Sequence, residues 1–138
     1  MTGRFEILEH TADVGLRLTG DSPEEVLEAA AEGLATLQGA WFPGEGEERD
    51  AEVAGRDLPG LLVAWLDELL YLHESRDAVL GGVTVRRVEA GRAEATVRVA
   101  SRGDRVVESV GVKAATFHRV RFERGPSGSW SADVYLDV

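Results

Sequence analysis

Two short segments rich in apolar residues, 4–8 and 14–19, open the chain. In the second, Val14, Leu16 and Leu18 alternate with Gly15, Arg17 and Thr19, the period-two pattern of a half-buried strand. The period then changes to that of a helix. Val26, Leu27, Ala30, Ala31, Leu34 and Leu37 fall on one stripe. Ser22 stands as N-cap, Pro23 takes the first helical position, Glu25 completes a capping box, and Gly39 ends the element. Residues 43–50, "PGEGEERD", read as an exposed acidic loop, and 51–55 as a short strand. A second helix is predicted over 57–74. It is apolar on most of its circumference, so it belongs deep in the fold, with Trp65 and Tyr71 as core aromatics. Strand patterns fill the rest. Residues 81–100 alternate on both sides of Ala90-Gly91, which predicts a hairpin. A polar turn at 101–105 leads into a strand-rich run over 106–125 and a hairpin turn at "GPSGS". In the final strand Trp130, Ala132, Val134, Leu136 and Val138 alternate with polar neighbours.

This order predicts an α+β fold: one domain over residues 1–138, a two-layer sandwich with two helices on one face of a mostly antiparallel sheet. A chain of 138 residues is long enough for one core and short for two. The outer face of such a sheet is half wet, as the alternating strands require.

Charge narrows the function. With 25 acidic and 15 basic residues the formal net charge is −10, which argues against a surface that grips nucleic acid by neutralising phosphates. A role on RNA would then run through a protein partner. No stretch approaches the roughly 20 apolar residues that span a bilayer, and the first residues lack the basic-then-apolar run of a secretory signal. The expected location is the cytoplasm. The chain has no cysteine, so thiolate metal sites and cysteine nucleophiles are excluded. Lys113 is the only lysine, all other basic residues being arginine. It is either a straggler of biased usage or a place that needs a small, adjustable ammonium.

The phosphate-binding glycine motifs and "GxSxG" are absent. The histidines do not pair at the spacing of a zinc helix, and His73 reads as a complement to the second helix's C-terminus. Three features remain: "HTAD" at 10–13, "VKAATFH" at 112–118, and the end of the chain at Asp137 and Val138. If Val134 and Leu136 face the core, then Asp133, Tyr135 and Asp137 face away from it. Asp137 would stand at the sheet rim beside the terminal carboxylate, and such oxygen ligands suit hard cations such as Ca²⁺ or Mg²⁺. Taken singly, each residue has a plainer reading. Asp13 closes a turn, His10 is a core histidine, and Asp137 is a solvated acid.

Taken together, "FEILEHTADVGL", "LLVAWLDELLYL", "GVKAATFH" and "DVYLDV" resemble the archease family along the whole chain. Two departures are visible: Phe117 where tyrosine is common, and Asp67 where asparagine is common. The resemblance implies an accessory protein rather than an enzyme. It would activate the tRNA-splicing RNA ligase of the RtcB type, promoting its guanylylation and multiple turnover, or serve as chaperone to a tRNA methyltransferase. It also implies a divalent cation, calcium first with magnesium or manganese as alternatives, held by Asp13, Asp137 and Val138. Lys113 would act on the partner, and His10, Thr11 and His118 would support the site. Two readings from other classes compete. One is a small metal-dependent hydrolase acting on phosphoesters or RNA with the same cluster. The other is an interaction module whose acids merely solvate its surface.

Overall fold

Alternating segments become strands and the capped stripes become helices in a computed structural model, which describes residues 3–9, 13–105 and 110–138. Strands β1 (Arg4–Glu9) and β2 (Asp13–Gly20) are followed by helix α1 (Pro23–Leu37), strand β3 (Glu47–Ala54) and helix α2 (Leu58–Arg76). Four strands complete the chain: β4 (Ala78–Glu89), β5 (Arg92–Ser101), β6 (Ala114–Arg124) and β7 (Trp130–Asp137).

The signals at the helix ends act as their chemistry requires. Ser22 Oγ accepts from the Glu25 amide at 3.2 Å, and Glu25 Oε1 reaches back to the Asp21 amide at 2.7 Å. That is one residue earlier than in the usual capping box. Asp57 caps α2 by accepting from the Gly60 amide at 2.8 Å. His73 Nδ1 lies 3.0 Å from the Ala78 carbonyl, which makes it the donor and ties the end of α2 to the start of β4. At Ala90-Gly91 both residues have positive φ, 52° and 75°, as a two-residue hairpin of type I′ demands.

The α+β class holds, and the strands, expected as one sheet, divide into two. One runs β1-β2-β7-β6 and the other β3-β5-β4, with every strand pairing antiparallel. Helix α1 packs against β2 and β4, and α2 against β6 and β3, so each helix touches both sheets. The core between them is aliphatic, built on Leu16, Leu18, Leu27, Leu61, Leu62, Leu66 and Leu136, with Trp65 fully buried. Trp65 Nε1 donates to the Leu27 carbonyl at 2.8 Å, which supplies the polar partner a buried indole needs.

The free edge of β4 is closed by a helix rather than a strand. Glu28 accepts from the Val85 amide at 2.9 Å and Glu24 from the Val88 amide at 3.0 Å. These two carboxylates stand one turn apart on α1 and satisfy strand donors that would otherwise invite another chain.

Two expectations are corrected. Tyr71 is not core: half of it is exposed, on the side of α2 beside Arg49, Glu68 and Arg76. A helix apolar almost all round gives no phase to its pattern, and burial is decided by where the sheets lie. Residues 47–50, expected as loop, are the first half of β3. An edge strand needs only backbone pairing on one side, and one of its acids, Glu48, stands opposite Arg98 and pairs with it. No helix among the described residues is long and apolar enough to cross a membrane.

Candidate functional site

In the four-stranded sheet Val134 and Leu136 have no exposed surface, so Asp133, Tyr135 and Asp137 occupy the opposite, outer face. The ladder between β2 and β7 then settles which residues share that face. Asp13 stands directly opposite Asp137, Gly15 opposite Tyr135, and Arg17 opposite Asp133. On the other flank of β7, Asp137 faces Ala114 and Tyr135 faces Thr116. Three rows therefore cross the outer face, the first of them at the end of the sheet.

The first row is Asp13, Asp137 and Ala114. Directly opposed residues of an antiparallel pair have Cβ atoms about 4.5–5.5 Å apart, and like charges so placed repel. Asp13 is half-buried with Oδ1 shut off from solvent, whereas Asp137 and Val138 are exposed. Ala114, the third residue of the row, adds only a methyl group. Lys113 precedes β6 and donates its amide to the Asp137 carbonyl at 2.8 Å. Its side chain is exposed, and among the described residues it forms no ion pair. Sequence parity foresaw the outward direction of Asp137; the structure brings Asp13 to it.

The donor chemistry fits a hard divalent cation: two hard, charged oxygen groups stand side by side. Among the described residues no group of three or more His, Cys, Asp or Glu side chains forms a complete cage. Among the described residues the candidate for a third ligand is a main-chain oxygen, and Val138 is adjacent to Asp137. His10 and Thr11 lie outside the described residues. His118 is described and exposed. It belongs to a bulge in β6 rather than to the carboxylate row, and its Nε2 accepts from Arg119 Nε at 3.3 Å.

The second row is one that sequence reading passed over. Tyr135 spreads across Gly15, where a Cβ would come within 2.9 Å of the ring. The Arg119 guanidinium lies 5.5 Å above that ring. The third row is an ion-pair network. Asp133 accepts from Arg17 Nε at 3.1 Å and Arg121 Nε at 3.2 Å, and Arg121 Nη1 also reaches Glu123 at 2.9 Å. The hydrogen bond to Asp133, and then its charge, hold the Arg17 guanidinium above its ordinary pKa.

Asp67 also matters more than its place in α2 suggests. Its Oδ1 accepts from the Ala115 amide at 3.2 Å and so fixes the first residues of β6 behind the carboxylate row. Between the Thr116–Tyr135 and Arg121–Asp133 pairings, residues 117–120 bulge from β6 opposite Val134 alone. Phe117, at 67% exposure, leaves that bulge toward a cleft of about 610 Å³ shared with Pro59, Val63, Ala64 and Asp67 of α2.

A two-helix α+β fold whose four-stranded sheet ends in opposed carboxylates is the class of protein these features define. Residues 5–138 match the family model described as the archease protein family (MTH1598/TM1083). The chain belongs to the archease family. It is 38% identical to the protein archease of Thermococcus gammatolerans and 36% identical to that of Pyrococcus furiosus, in each case over 98% of this chain and 99% of the relative. The solution structure of Methanobacterium thermoautotrophicum protein 1598 superposes with a TM-score of 0.74 at 29% identity, covering 97% of this chain and 98% of that one. A crystal structure of an archease from Thermotoga maritima, described as a possible chaperone, shares the fold. Its TM-score is 0.67 at 23% identity, with 96% of each chain covered.

Proposed function

We propose that this protein is an accessory factor that activates a tRNA-splicing RNA ligase of the RtcB type, and that it does so with a divalent cation held at the sheet rim by Asp13, Asp137 and a main-chain oxygen of Val138. The observation that carries this reading is the pairing of Asp13 with Asp137 across β2 and β7. Carboxylates directly opposed across a ladder repel, and a cation between them relieves that cost. Membership of the archease family supplies the context. Calcium is the first candidate ion, with magnesium or manganese as alternatives, since carboxylate oxygens suit each of them.

The bound cation would supply a concentrated positive charge that the partner's phosphate chemistry can use. The chain's own residues do the rest. Asp13 and Asp137 hold the ion at the surface, and the Lys113 amide fixes the Asp137 main chain. The Lys113 ammonium adds a mobile charge beside them. Exposed Phe117 and its cleft offer the apolar contact by which a protein partner would dock. An overall charge of −10 fits a factor that meets RNA through its partner rather than by itself.

The test is a multiple-turnover ligation assay with the partner ligase, with and without this protein. Asp13→Ala or Asp137→Ala is expected to abolish stimulation while unfolding remains near wild type. Full stimulation by either variant sinks the cation reading. Lys113→Arg separates charge from shape, because an ammonium and a guanidinium differ in size and donor geometry. A chaperone role toward a tRNA methyltransferase, implied by the family resemblance, is the competing reading; the Thermotoga protein is described as a possible chaperone. That reading expects the methyltransferase's solubility, and not ligase turnover, to depend on this chain.

A further inference from the structure

We propose that Arg119, seated on Tyr135, forms a phosphate subsite next to the carboxylate rim, so that the outer sheet face takes a small phosphorylated ligand with its phosphate on the guanidinium. Three observations converge on it. First, the guanidinium is positioned from below and from the side. The Tyr135 ring lies 5.5 Å beneath it, and His118 Nε2 accepts from its Nε at 3.3 Å, which leaves the two terminal nitrogens for a ligand. Planar, bidentate presentation of this kind is what suits arginine to phosphate.

Second, the platform is built rather than incidental. Tyr135 lies flat only because residue 15 has no side chain. Arg119 itself has φ of +54°, in the left-handed region that non-glycine residues seldom enter. Among the other described non-glycine residues with positive φ, Asp77 ends a helix and Ala90 makes a hairpin turn. Arg119 has neither duty. It stands within the bulge at 117–120, a device that re-aims side chains near binding sites.

Third, the charges are left for a ligand. The two arginines of the neighbouring row, Arg17 and Arg121, are both taken by Asp133. Among the described residues Arg119 pairs with no carboxylate. Tyr135 precedes Asp137 by two residues on the same face, a spacing of roughly 7 Å along a strand. A phosphate on Arg119 would thus lie on the same face as the carboxylates, one row along β7 from them. The Arg119 contact is independent of the cation, while a second, metal contact rests on the reading given under Proposed function.

The experiment is a ³¹P NMR titration of the isolated protein with inorganic phosphate, with Mg²⁺ and with chelator, alongside calorimetry of Ca²⁺, Mg²⁺ and Mn²⁺ binding, each alone. Arg119→Gln is expected to weaken phosphate binding about tenfold, equivalent to about 1.4 kcal/mol, and to leave Mg²⁺ affinity unchanged. Arg119→Lys, which keeps the charge and loses the plane, should fall between them. Unaltered phosphate affinity in Arg119→Gln, or no phosphate binding by wild type, overturns the subsite. Mg²⁺ binding with Arg119-independent phosphate rejects the subsite and leaves the cation reading standing. Arg119-dependent phosphate binding without any Ca²⁺, Mg²⁺ or Mn²⁺ binding, read by the same calorimetry, does the reverse. Guanosine monophosphate is the second probe. Affinity equal to that of phosphate identifies the free anion as what is bound, and tighter binding identifies a nucleotide whose nucleoside part makes contacts of its own. Both results uphold the subsite only if Arg119 is required.

Discussion

The ring of Tyr135 rests on the backbone of Gly15, so closely that a Cβ at position 15 would lie 2.9 Å from one ring carbon and 3.0 Å from the Cβ of Leu8. Glycine within a strand is ordinarily a cost, because it surrenders backbone freedom and packs nothing. Here its absence of side chain is what lets an aromatic ring lie flat between the carboxylate row and the arginine network.

Gly15→Ala should therefore destabilise the protein by about 1–3 kcal/mol through overpacking, despite the small gain alanine brings by restricting the unfolded chain. Denaturant unfolding measures it. In a Tyr135→Ala background the same substitution should cost clearly less, since only the Leu8 contact remains. Equal costs in the two backgrounds would mean that the ring and the glycine are not coupled.

Asp67 offers a way to disturb the site from behind. Asp67→Ala leaves the Ala115 amide without its acceptor, which should cost about 1–3 kcal/mol. It should also loosen the start of β6, where Lys113 and Ala114 meet Asp137. Asp67→Asn keeps a side-chain oxygen and should stay near wild type. Hydrogen exchange at Ala115 reads the effect directly, and protection that survives in Asp67→Ala removes the anchor from the account.

What could be read from the sequence depended on whether a signal was local. Alternation in β2 and β7 exposed their faces, and the cap of α1 sat where Ser22 predicted, whereas Asp57, read as the first residue of α2, is its cap. The outward direction of Asp137 followed from parity alone. Its opposition to Asp13 did not, because register between strands at the two ends of the chain is set by tertiary packing. The bulge at 117–120 was hidden for another reason. It holds no glycine or proline, and Phe117-His118-Arg119-Val120 passes for more strand. Tyr135 was placed on the outer face by the same parity, yet its function as a platform depends on Gly15, which a strand pattern records only as a gap. Residues 47–50 looked like loop because charge was all they displayed, and backbone pairing leaves no mark on composition.

The opposed carboxylates make a prediction about stability without any partner. In chelator, Asp13→Asn removes a like-charge pair and should stabilise the protein modestly, by about 0.2–1 kcal/mol. Addition of Ca²⁺ or Mg²⁺ should raise the wild-type melting temperature, with a gain of about 2.7 kcal/mol at a hundredfold excess over Kd. The variant should gain much less. A wild-type melting curve indifferent to both ions, with Asp13→Asn no more stable in chelator, would leave no thermodynamic sign of a cation at the rim.

Glu28 gives the fold a pH dependence of known sign. Burial raises its pKa above the ordinary carboxylate value, and the hydrogen bond from the Val85 amide opposes that shift without cancelling it. The folded state thus holds the Glu28 proton more tightly than the unfolded chain does. Its contribution to stability is fully present below the unfolded pKa, near 4.5, and is lost as pH rises through the raised folded value. Glu28→Gln keeps an oxygen for the Val85 amide and cannot ionise. Denaturant midpoints for the two proteins should therefore diverge with pH, the wild type losing ground to Glu28→Gln between acid and neutral conditions. A difference that stays constant across that range would mean that Glu28 titrates alike in the folded and unfolded chains, and that its place at the free edge of β4 carries no electrostatic cost.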